Sequence, residues 1–178
     1  MITFARVAVR PNLRFLLSHP AHFFALGFGS GLVPVGPGTF GTLVALPLFW
    51  VLSRHLNSNQ FLLLLALIVV GGVWVCGRTG RDLGVEDHKA IVWDETAAFL
   101  IVLFFTPTTP WWQAAAFVLF RLFDIYKPGP IRTIERSLRG GLGVMADDLA
   151  AAFFTLVCLT LFKLLAPALG DWIGFSIV

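Results

Sequence analysis

Charged side chains are scarce in this sequence, and their scarcity indicates the class of protein. Only 13% of the 178 residues are charged, whereas 57% are hydrophobic and the mean hydropathy is +0.84. Soluble domains carry about 25% charged residues. The composition therefore predicts an integral membrane protein. The net charge of +3 is not gathered into a soluble basic patch, so no nucleic-acid partner is expected.

Cysteine is also scarce, which limits redox chemistry and covalent catalysis. The two cysteines, Cys76 and Cys158, lie in apolar runs without metal-ligand spacing around them. We therefore expect buried thiols and no disulfide scaffold. Neither cysteine is followed by an arginine six residues later, so the signature of phosphocysteine phosphatases is absent.

Other signatures of phosphate chemistry are missing as well. No Asp-x-Asp-x-Thr motif of the aspartyl-phosphate enzymes occurs, and no lysine follows the glycine-rich stretch as it does in a P-loop. The four histidines lack the Arg/His grouping of phosphohistidine lipid phosphatases. Only His88 lies in a polar stretch, where a solvated side chain is the favoured interpretation. Metal-assisted hydrolysis is the phosphatase chemistry that these absences leave open.

Long apolar runs predict the helices. Residues 56–77 contain no charge, and their 22 residues are enough to cross about 30 Å of hydrocarbon. Residues 96–120 are also uncharged, but Pro107 and Pro110 divide them. We expect two shorter helices there, over residues 93–105 and 111–126, and a last helix over residues 145–165.

A glycine- and proline-rich stretch interrupts the uncharged residues 21–53. Thirteen residues, 29–41, contain too many helix breakers for a continuous helix. Thr39 is predicted to be the N-cap of a helix that runs to about residue 52. Two interpretations stay open for the loop: a simple connector, or backbone N–H groups that bind an anion at the start of a helix.

The N-terminal residues carry arginines without acidic residues. Because Arg6, Arg10 and Arg14 are spread among apolar residues, the pattern is not that of a cleaved secretory signal. We predict a basic tail over residues 1–20, either helical on an anionic membrane surface or disordered. Residues 21–178 are predicted to form one membrane-embedded domain.

The predicted helices place the polar connections on one side of the membrane. With five spans, the glycine-rich loop, residues 78–94 and residues 121–148 share one face. That face carries 11 of the 13 Lys and Arg residues, counting the tail, because only Arg54 and Lys163 lie elsewhere. This excess predicts a cytoplasmic face. The expected fold is an all-α, polytopic membrane helical bundle with short broken helices and a polar site at the cytoplasmic face.

Acidic residues are few, and those on this face mostly lie at predicted helix boundaries. A carboxylate beside hydrocarbon is costly unless it faces the protein interior and pairs with a cation. Carboxylates from several helices could form an oxygen-rich site for Mg²⁺. Helix capping is the alternative, but it does not explain Asp124, which is predicted at a helix C-terminus. The candidates are Asp94, Glu95, Asp124, Asp147 and Asp148.

Basic residues accompany these carboxylates. Arg121 lies three residues before Asp124 on the same helix face, and Lys127 and Arg132 follow closely. Arginine binds phosphate bidentately and lysine binds it as a point charge. These residues are therefore candidate ligands of a phosphate group.

An apolar stripe follows in the same stretch. Ile131, Ile134 and Leu138 are spaced for one face of an interfacial helix, whose basic residues would touch anionic lipids. Ordinary positive-inside topology explains Arg136 and Arg139 equally well. The glycines of residues 140–143 would let the backbone approach a ligand or another helix.

Four segments together resemble the phosphatidylglycerophosphatase A family. The resemblance covers most of residues 27–152, and the last two segments are the most specific. Ala98 departs from the family motif, which tends to have glycine after the D-E pair. The segments are G-S-G-L-V-P-V-G-P-G-T-F-G-T (29–42), D-H-K-A-I-V-W-D-E (87–95), R-L-F-D-I-Y-K-P-G-P-I-R (121–132) and G-G-L-G-V-M-A-D-D (140–148).

The resemblance implies a specific activity. It implies a helical, Mg²⁺-dependent phosphatase of the bacterial inner membrane that converts phosphatidylglycerophosphate to phosphatidylglycerol and inorganic phosphate, among anionic membrane lipids. Asp94, Asp124, Lys127 and Asp148 are then expected to be catalytic. The metal ligands expected at the matching positions are Asp94, Glu95, Asp124, Asp147 and Asp148. The expected phosphate ligands are Thr39, Arg121, Lys127 and Arg132; of these the resemblance carries over Lys127, and the others follow from the chemistry of the residues themselves.

Two other functions fit parts of the pattern. A small transporter also needs charges at helix ends, but it needs them near the middle of the membrane. A CDP-alcohol phosphotransferase also gathers aspartates around Mg²⁺, but its run of spaced Asp and Gly residues on one helix is missing here.

Overall fold

The computed structural model describes residues 10–129 and 138–173, with side chains as far as residue 165. These residues form helices and no strand, which confirms the all-α prediction. In chain order the helices are α1 (Leu13–Ser18), α2 (Pro20–Ala25), a 3₁₀ helix (Gly27–Leu32), α3 (Pro37–His55), α4 (Ser58–Leu83), α5 (Trp93–Phe105), α6 (Pro110–Tyr126) and α7 (Gly140–Ile173).

Two helices of the described chain are candidate membrane spans. Ser58–Leu83 and Gly140–Leu165 each contain 26 residues and are long and apolar enough to cross a membrane. Their outer faces carry exposed apolar side chains such as Leu63, Val70 and Leu164. Water would disfavour so much contiguous apolar surface, whereas lipid tails accept it. The remaining helices are shorter, so the number of five crossings stays a prediction.

Helix α5 is the centre of the bundle. It has the predicted bounds, and its side chains from Ala97 to Leu100 are fully buried, together with Val102 and Leu103. Helices α3, α4 and α7 pack around it. The N-terminus of this enclosed helix, which carries two acidic residues, therefore lies inside the bundle.

Helix α3 begins earlier than predicted. Its N-cap is Gly36, with a left-handed φ of 62°, and Pro37 occupies the first turn. Thr39 lies inside the helix, so its predicted N-cap role is wrong. The physical reason is local: glycine reaches a positive φ without strain, and proline has the φ of a first helical residue.

Helix α7 also begins earlier than predicted, and this changes the status of two aspartates. Its first residue is Gly140, whose N–H donates to Glu86 Oε2 at 3.0 Å. Asp147 and Asp148 consequently lie about two turns inside the helix instead of at its start. Favourable interaction with a helix N-terminus therefore does not explain these two carboxylates.

Glycine at position 141 lets α7 approach α4. A Cβ added to Gly141 would overlap the carbonyl oxygen of Val73 and would lie 2.7 Å from the Gly77 nitrogen. The two backbones are therefore in direct contact, as small residues permit between membrane helices. Of the two expectations for residues 140–143, approach to another helix is the one that this contact supports.

The N-terminal helices are attached to the bundle through a polar contact. His22 on α2 is buried, and its Nε2 lies 3.0 Å from Asp82 Oδ2 near the end of α4. Arg78 Nε donates to the same oxygen at 2.7 Å. Residues 1–9 lie outside the described residues, so the boundary at residue 20 between tail and domain stays a prediction.

The contact between α4 and α7 predicts the effect of one methyl group. We expect Gly141→Ala to destabilise the protein by about 1–3 kcal/mol, because the added Cβ forces the two helices apart. Thermal unfolding in detergent micelles measures this as a lower Tm. The matched control is Gly71→Ala on α4, where a Cβ meets nothing within 4 Å. Equal Tm values for the two variants would contradict the predicted contact.

Candidate active site

One cavity gathers nine acidic and basic side chains of the described chain. It lies where the starts of α3 and α5, the end of α6 and the first half of α7 meet the loop after α4. Six acidic and three basic side chains line it, so acidic groups are in excess. Its lining residues are Gly36, Pro37, Gly38, Asp87, Lys89, Ile91, Asp94, Glu95, Arg121, Asp124, Lys127, Asp147 and Asp148.

Three carboxylates form the interior of this cavity. Asp94 and Glu95 occupy the first turn of α5, and Asp148 projects from α7. One oxygen from each lies within 4.8 Å of the others, close enough for all three to hold one cation. Asp94 and Asp148 are only 7% and 3% exposed. Oxygen-only donor sets of this kind suit hard cations such as Mg²⁺.

Each of these carboxylates has a buried oxygen without a partner. Within the described chain, Asp94 Oδ1, Glu95 Oε2 and Asp148 Oδ2 accept no hydrogen bond. A buried, unpaired carboxylate oxygen is strongly unfavourable unless a cation or donor satisfies it. A ligand with positive charge would satisfy three such atoms in one cluster together.

Arg121 forms the side of the cavity next to α3. Its guanidinium forms an ion pair with Asp124, one turn later on α6, and lies 3.7 Å from Glu95 Oε1. The same Nη1 donates to Thr42 Oγ1 on α3 at 3.4 Å. Arg121 thus links three helices and holds its positive charge beside the carboxylate cluster.

Lys127 also lines the cavity. It is the C-cap of α6 and has a left-handed φ of 42°, which is unusual for a residue with a side chain. Its Nζ forms an ion pair with Asp147 on α7. Asp147 Oδ1 also accepts the N–H of Asp148 at 3.1 Å. The end of α6 is therefore joined to the aspartate pair of α7.

The start of α3 comes close to the carboxylate cluster because residue 38 has no side chain. A Cβ on Gly38 would overlap Glu95 Oε1 and would lie 3.2 Å from Arg121 Nη1. One turn later, Thr42 Oγ1 donates to the carbonyl oxygen of Gly38 at 2.9 Å. Thr96 on α5 in turn donates to the carbonyl oxygen of Gly41 at 2.8 Å. These contacts hold the α3 backbone against the site.

The structure places most of the sequence-predicted residues in this cavity. Thr39 does not line it; the preceding residues, 36–38, do. Arg132 and the predicted apolar stripe near residue 134 lie largely outside the described residues. The residues brought together are Asp94, Glu95, Arg121, Asp124, Lys127, Asp147 and Asp148.

Sequence reasoning missed several contributors to the site, among them the lining carboxylate of Asp87. Gly38 and Thr42 gave a signal, because both belong to the glycine-rich segment before a helix, but their contacts require the fold. Lys89 gave only the weaker signal of a cation in a polar loop. Each reaches the cavity or its lining residues through packing between distant parts of the chain.

His88 has a local role instead of a place in the cavity. Its Nδ1 accepts the N–H of Ala90 at 3.1 Å, which stabilises the turn before α5. Partial burial, followed by the charge of Lys89, lowers the pKa of the His88 imidazole below its usual value. The ring is therefore predominantly neutral at pH 7 and adds no positive charge to the site.

Comparison with known proteins identifies the family. The sequence profile of the family described as phosphatidylglycerophosphatase A matches residues 23–163. A phosphatidylglycerophosphatase A of Escherichia coli is 47% identical over 78% of this chain and 80% of its own length. One from Haemophilus influenzae is 43% identical over 83% of this chain and 91% of its own.

A third relative has a different name. A Bacteroides thetaiotaomicron protein, provisionally named a phosphatidylinositol-3-phosphatase, is 37% identical over 74% of this chain and 86% of its own length. No solved structure matches the chain. The profile match and the identities to the first two relatives show that the chain belongs to the phosphatidylglycerophosphatase A family and is a phosphatase.

Proposed function

We propose that this protein hydrolyses phosphatidylglycerophosphate to phosphatidylglycerol and inorganic phosphate in a Mg²⁺-dependent reaction. The observation that carries the proposal is the cluster of Asp94, Glu95 and Asp148, with three buried oxygens that lack a partner. Two relatives that share nearly half of their aligned residues with this chain carry the corresponding enzyme name. Family membership favours this reaction over transport or phosphotransfer from a CDP-lipid.

The three clustered carboxylates would hold the metal ion. Their donor atoms are oxygens, their spacing suits a single cation, and their unsatisfied lone pairs need one. Bound Mg²⁺ would neutralise phosphoryl oxygens and polarise the phosphorus centre. Asp124 and Asp147, also predicted as metal ligands, are engaged with Arg121 and Lys127. We therefore propose that these two aspartates orient the side chains of Arg121 and Lys127.

The side chains of the cavity can supply the remaining steps. A water oxygen forms a bond to phosphorus while the bond from phosphorus to the glycerol oxygen breaks. One carboxylate of the cavity accepts a proton from the attacking water, and the departing glycerol oxygen takes a proton from solvent water to become a hydroxyl group. Arg121 and Lys127 are placed to stabilise negative charge on the phosphoryl oxygens during this exchange.

The distribution of cations supports a membrane orientation. Arg78, Arg81 and Arg139 lie at the same end of the bundle as the cavity, whereas Arg54 and Lys163 lie towards the other end. The positive-inside rule then favours a multi-pass protein of the bacterial inner membrane with its active site at the cytoplasmic face. Anionic lipids at this face would lie beside the same cations.

The name of the third relative gives a substrate for comparison. Its provisional name concerns another lipid with a phosphomonoester head group, and the carboxylates and cations of the cavity recognise the phosphate itself. Phosphatidylinositol 3-phosphate is therefore the comparison substrate. Faster turnover of that lipid than of phosphatidylglycerophosphate would overturn the proposed head group while keeping the reaction type.

Removal of divalent cations tests the metal dependence. We expect EDTA to reduce phosphate release from phosphatidylglycerophosphate by at least about 100-fold, because the carboxylate cluster loses the cation that neutralises it. Excess Mg²⁺ should restore the activity. Phosphate release from purified protein in detergent micelles is the measurement. Undiminished release in EDTA would overturn the metal-assisted mechanism.

Two substitutions distinguish carboxylates that bind the metal ion from carboxylates that orient the basic side chains of Arg121 and Lys127. We expect Asp148→Asn to weaken Mn²⁺ binding and to lower kcat by about 100-fold or more, since a ligand is lost. Asp124→Asn should lower kcat but leave Mn²⁺ affinity nearly unchanged, because it releases Arg121. Electron paramagnetic resonance of Mn²⁺ reports binding. Glu86→Gln is the control, as Glu86 does not belong to the cluster. Equal metal affinities in all three variants would contradict the assignment.

Gly38 tests the close approach of α3. We expect Gly38→Ala to lower kcat by about tenfold or more, because its Cβ displaces Glu95 or Arg121 from the site. The Tm should fall much less than the activity. Phe40→Ala on the exposed side of the same helix is the control. Wild-type kcat in Gly38→Ala would show that the position tolerates a side chain.

A further inference from the structure

The side chains that line the cavity carry an excess of negative charge. Six acidic side chains line it and only three basic ones do. A phosphomonoester carries up to two negative charges near neutral pH, so its approach to this cavity is opposed unless cations are available. A basic side chain that has no ion pair within the protein can bind the phosphate without first breaking one.

Two of the three cations already have acidic partners. Arg121 is paired with Asp124 and lies near Glu95. Lys127 is paired with Asp147. Each can still reach a ligand, but its charge is largely balanced by the protein, and stronger contact with phosphate weakens an existing pair.

Lys89 differs from both. It is exposed, lines the same cavity, and forms no ion pair with any carboxylate of the described residues. Of the three basic side chains that line the cavity, Lys89 is therefore the one whose ammonium group no described carboxylate contacts directly. Lysine also presents a compact charge on a flexible stem, which suits capture of a phosphate in variable orientations.

The backbone around Lys89 is held in place. His88 accepts the N–H of Ala90, and the carbonyl oxygen of Ala90 lies against Gly31, where an added Cβ would overlap it. Ala90, Ile91 and Val92 are buried, and the N–H of Val92 donates to the carbonyl oxygen of Ala25 at 2.9 Å. The loop therefore holds an exposed lysine at the rim of the cavity on an anchored backbone.

We propose that Lys89 binds the phosphate of the incoming lipid at the rim of the cavity. This inference rests on the proposed phosphatase function of the same site. Because Lys89 contacts the phosphate of the bound substrate and not only its transition state, it lowers KM and leaves kcat nearly unchanged. Arg121 and Lys127, nearer the carboxylates, carry the stabilisation that changes kcat.

Steady-state kinetics of Lys89→Gln test the inference. We expect KM for phosphatidylglycerophosphate to rise about three- to tenfold, the range between an exposed ion pair and a charge-assisted hydrogen bond. The kcat should stay within about twofold of wild type. Lys89→Arg should restore the low KM, since it keeps the charge. The control is Lys163→Gln, an exposed cation more than twenty residues along α7 from its start.

A binding experiment separates this inference from the proposed substrate. Inorganic phosphate is titrated calorimetrically into the Mg²⁺-loaded protein in detergent, and we expect about three- to tenfold weaker binding by Lys89→Gln. Weaker binding in a protein that does not hydrolyse phosphatidylglycerophosphate would overturn the substrate but keep the role of Lys89. An unchanged phosphate affinity, or a fall in kcat with unchanged KM, would overturn the role of Lys89.

Discussion

Burial of an oxygen atom from each of three carboxylates at one point of an apolar bundle is the constraint on which the rest of this structure depends. Charged oxygens inside a membrane protein are unfavourable by several kcal/mol each unless cations meet them. Asp94 and Glu95 lie inside the bundle because α5 begins there. Asp148 lies beside them because α7 passes next to the start of α5. Arg121 and Lys127 partly balance the cluster, and its unpartnered oxygens leave room for one further cation.

The helices that frame the site also determine how it can work. The spans α4 and α7 meet through backbone contact at Gly141, and α3 approaches through Gly38. These close contacts bring groups from four helices to one cavity, where the long side chains of Arg121 and Lys127 connect them. The cavity lies where the starts of α3 and α5 and the end of α6 meet the first half of α7. In the proposed mechanism, the carboxylate cluster holds the metal ion, Arg121 and Lys127 stabilise the reacting phosphoryl group, and Lys89 binds the incoming phosphate.

The sequence predicted much of this arrangement, and its errors have local causes. The bounds of α5 follow from the acidic pair before an uninterrupted apolar run. Thr39 was wrong as an N-cap because Gly36 and Pro37 start α3 earlier. The start of α7 was placed too late, because glycines usually weaken helices, whereas here Gly141 is stabilised by its contact with α4. The contacts of Gly38 and Thr42 could not be predicted, since they join residues more than fifty positions apart.

The sequence by itself determined the membrane class, the helical fold and the family, because composition, apolar run length and motif spacing are properties of the chain alone. It also identified seven of the nine acidic and basic residues that line the cavity, all except Asp87 and Lys89. Only the tertiary structure decided which oxygens lack partners, which cations are already paired, and that Lys89 lies at the rim. The physical reason is that these properties depend on distances between helices, and those distances are decided by packing contacts at glycines and buried side chains across the bundle.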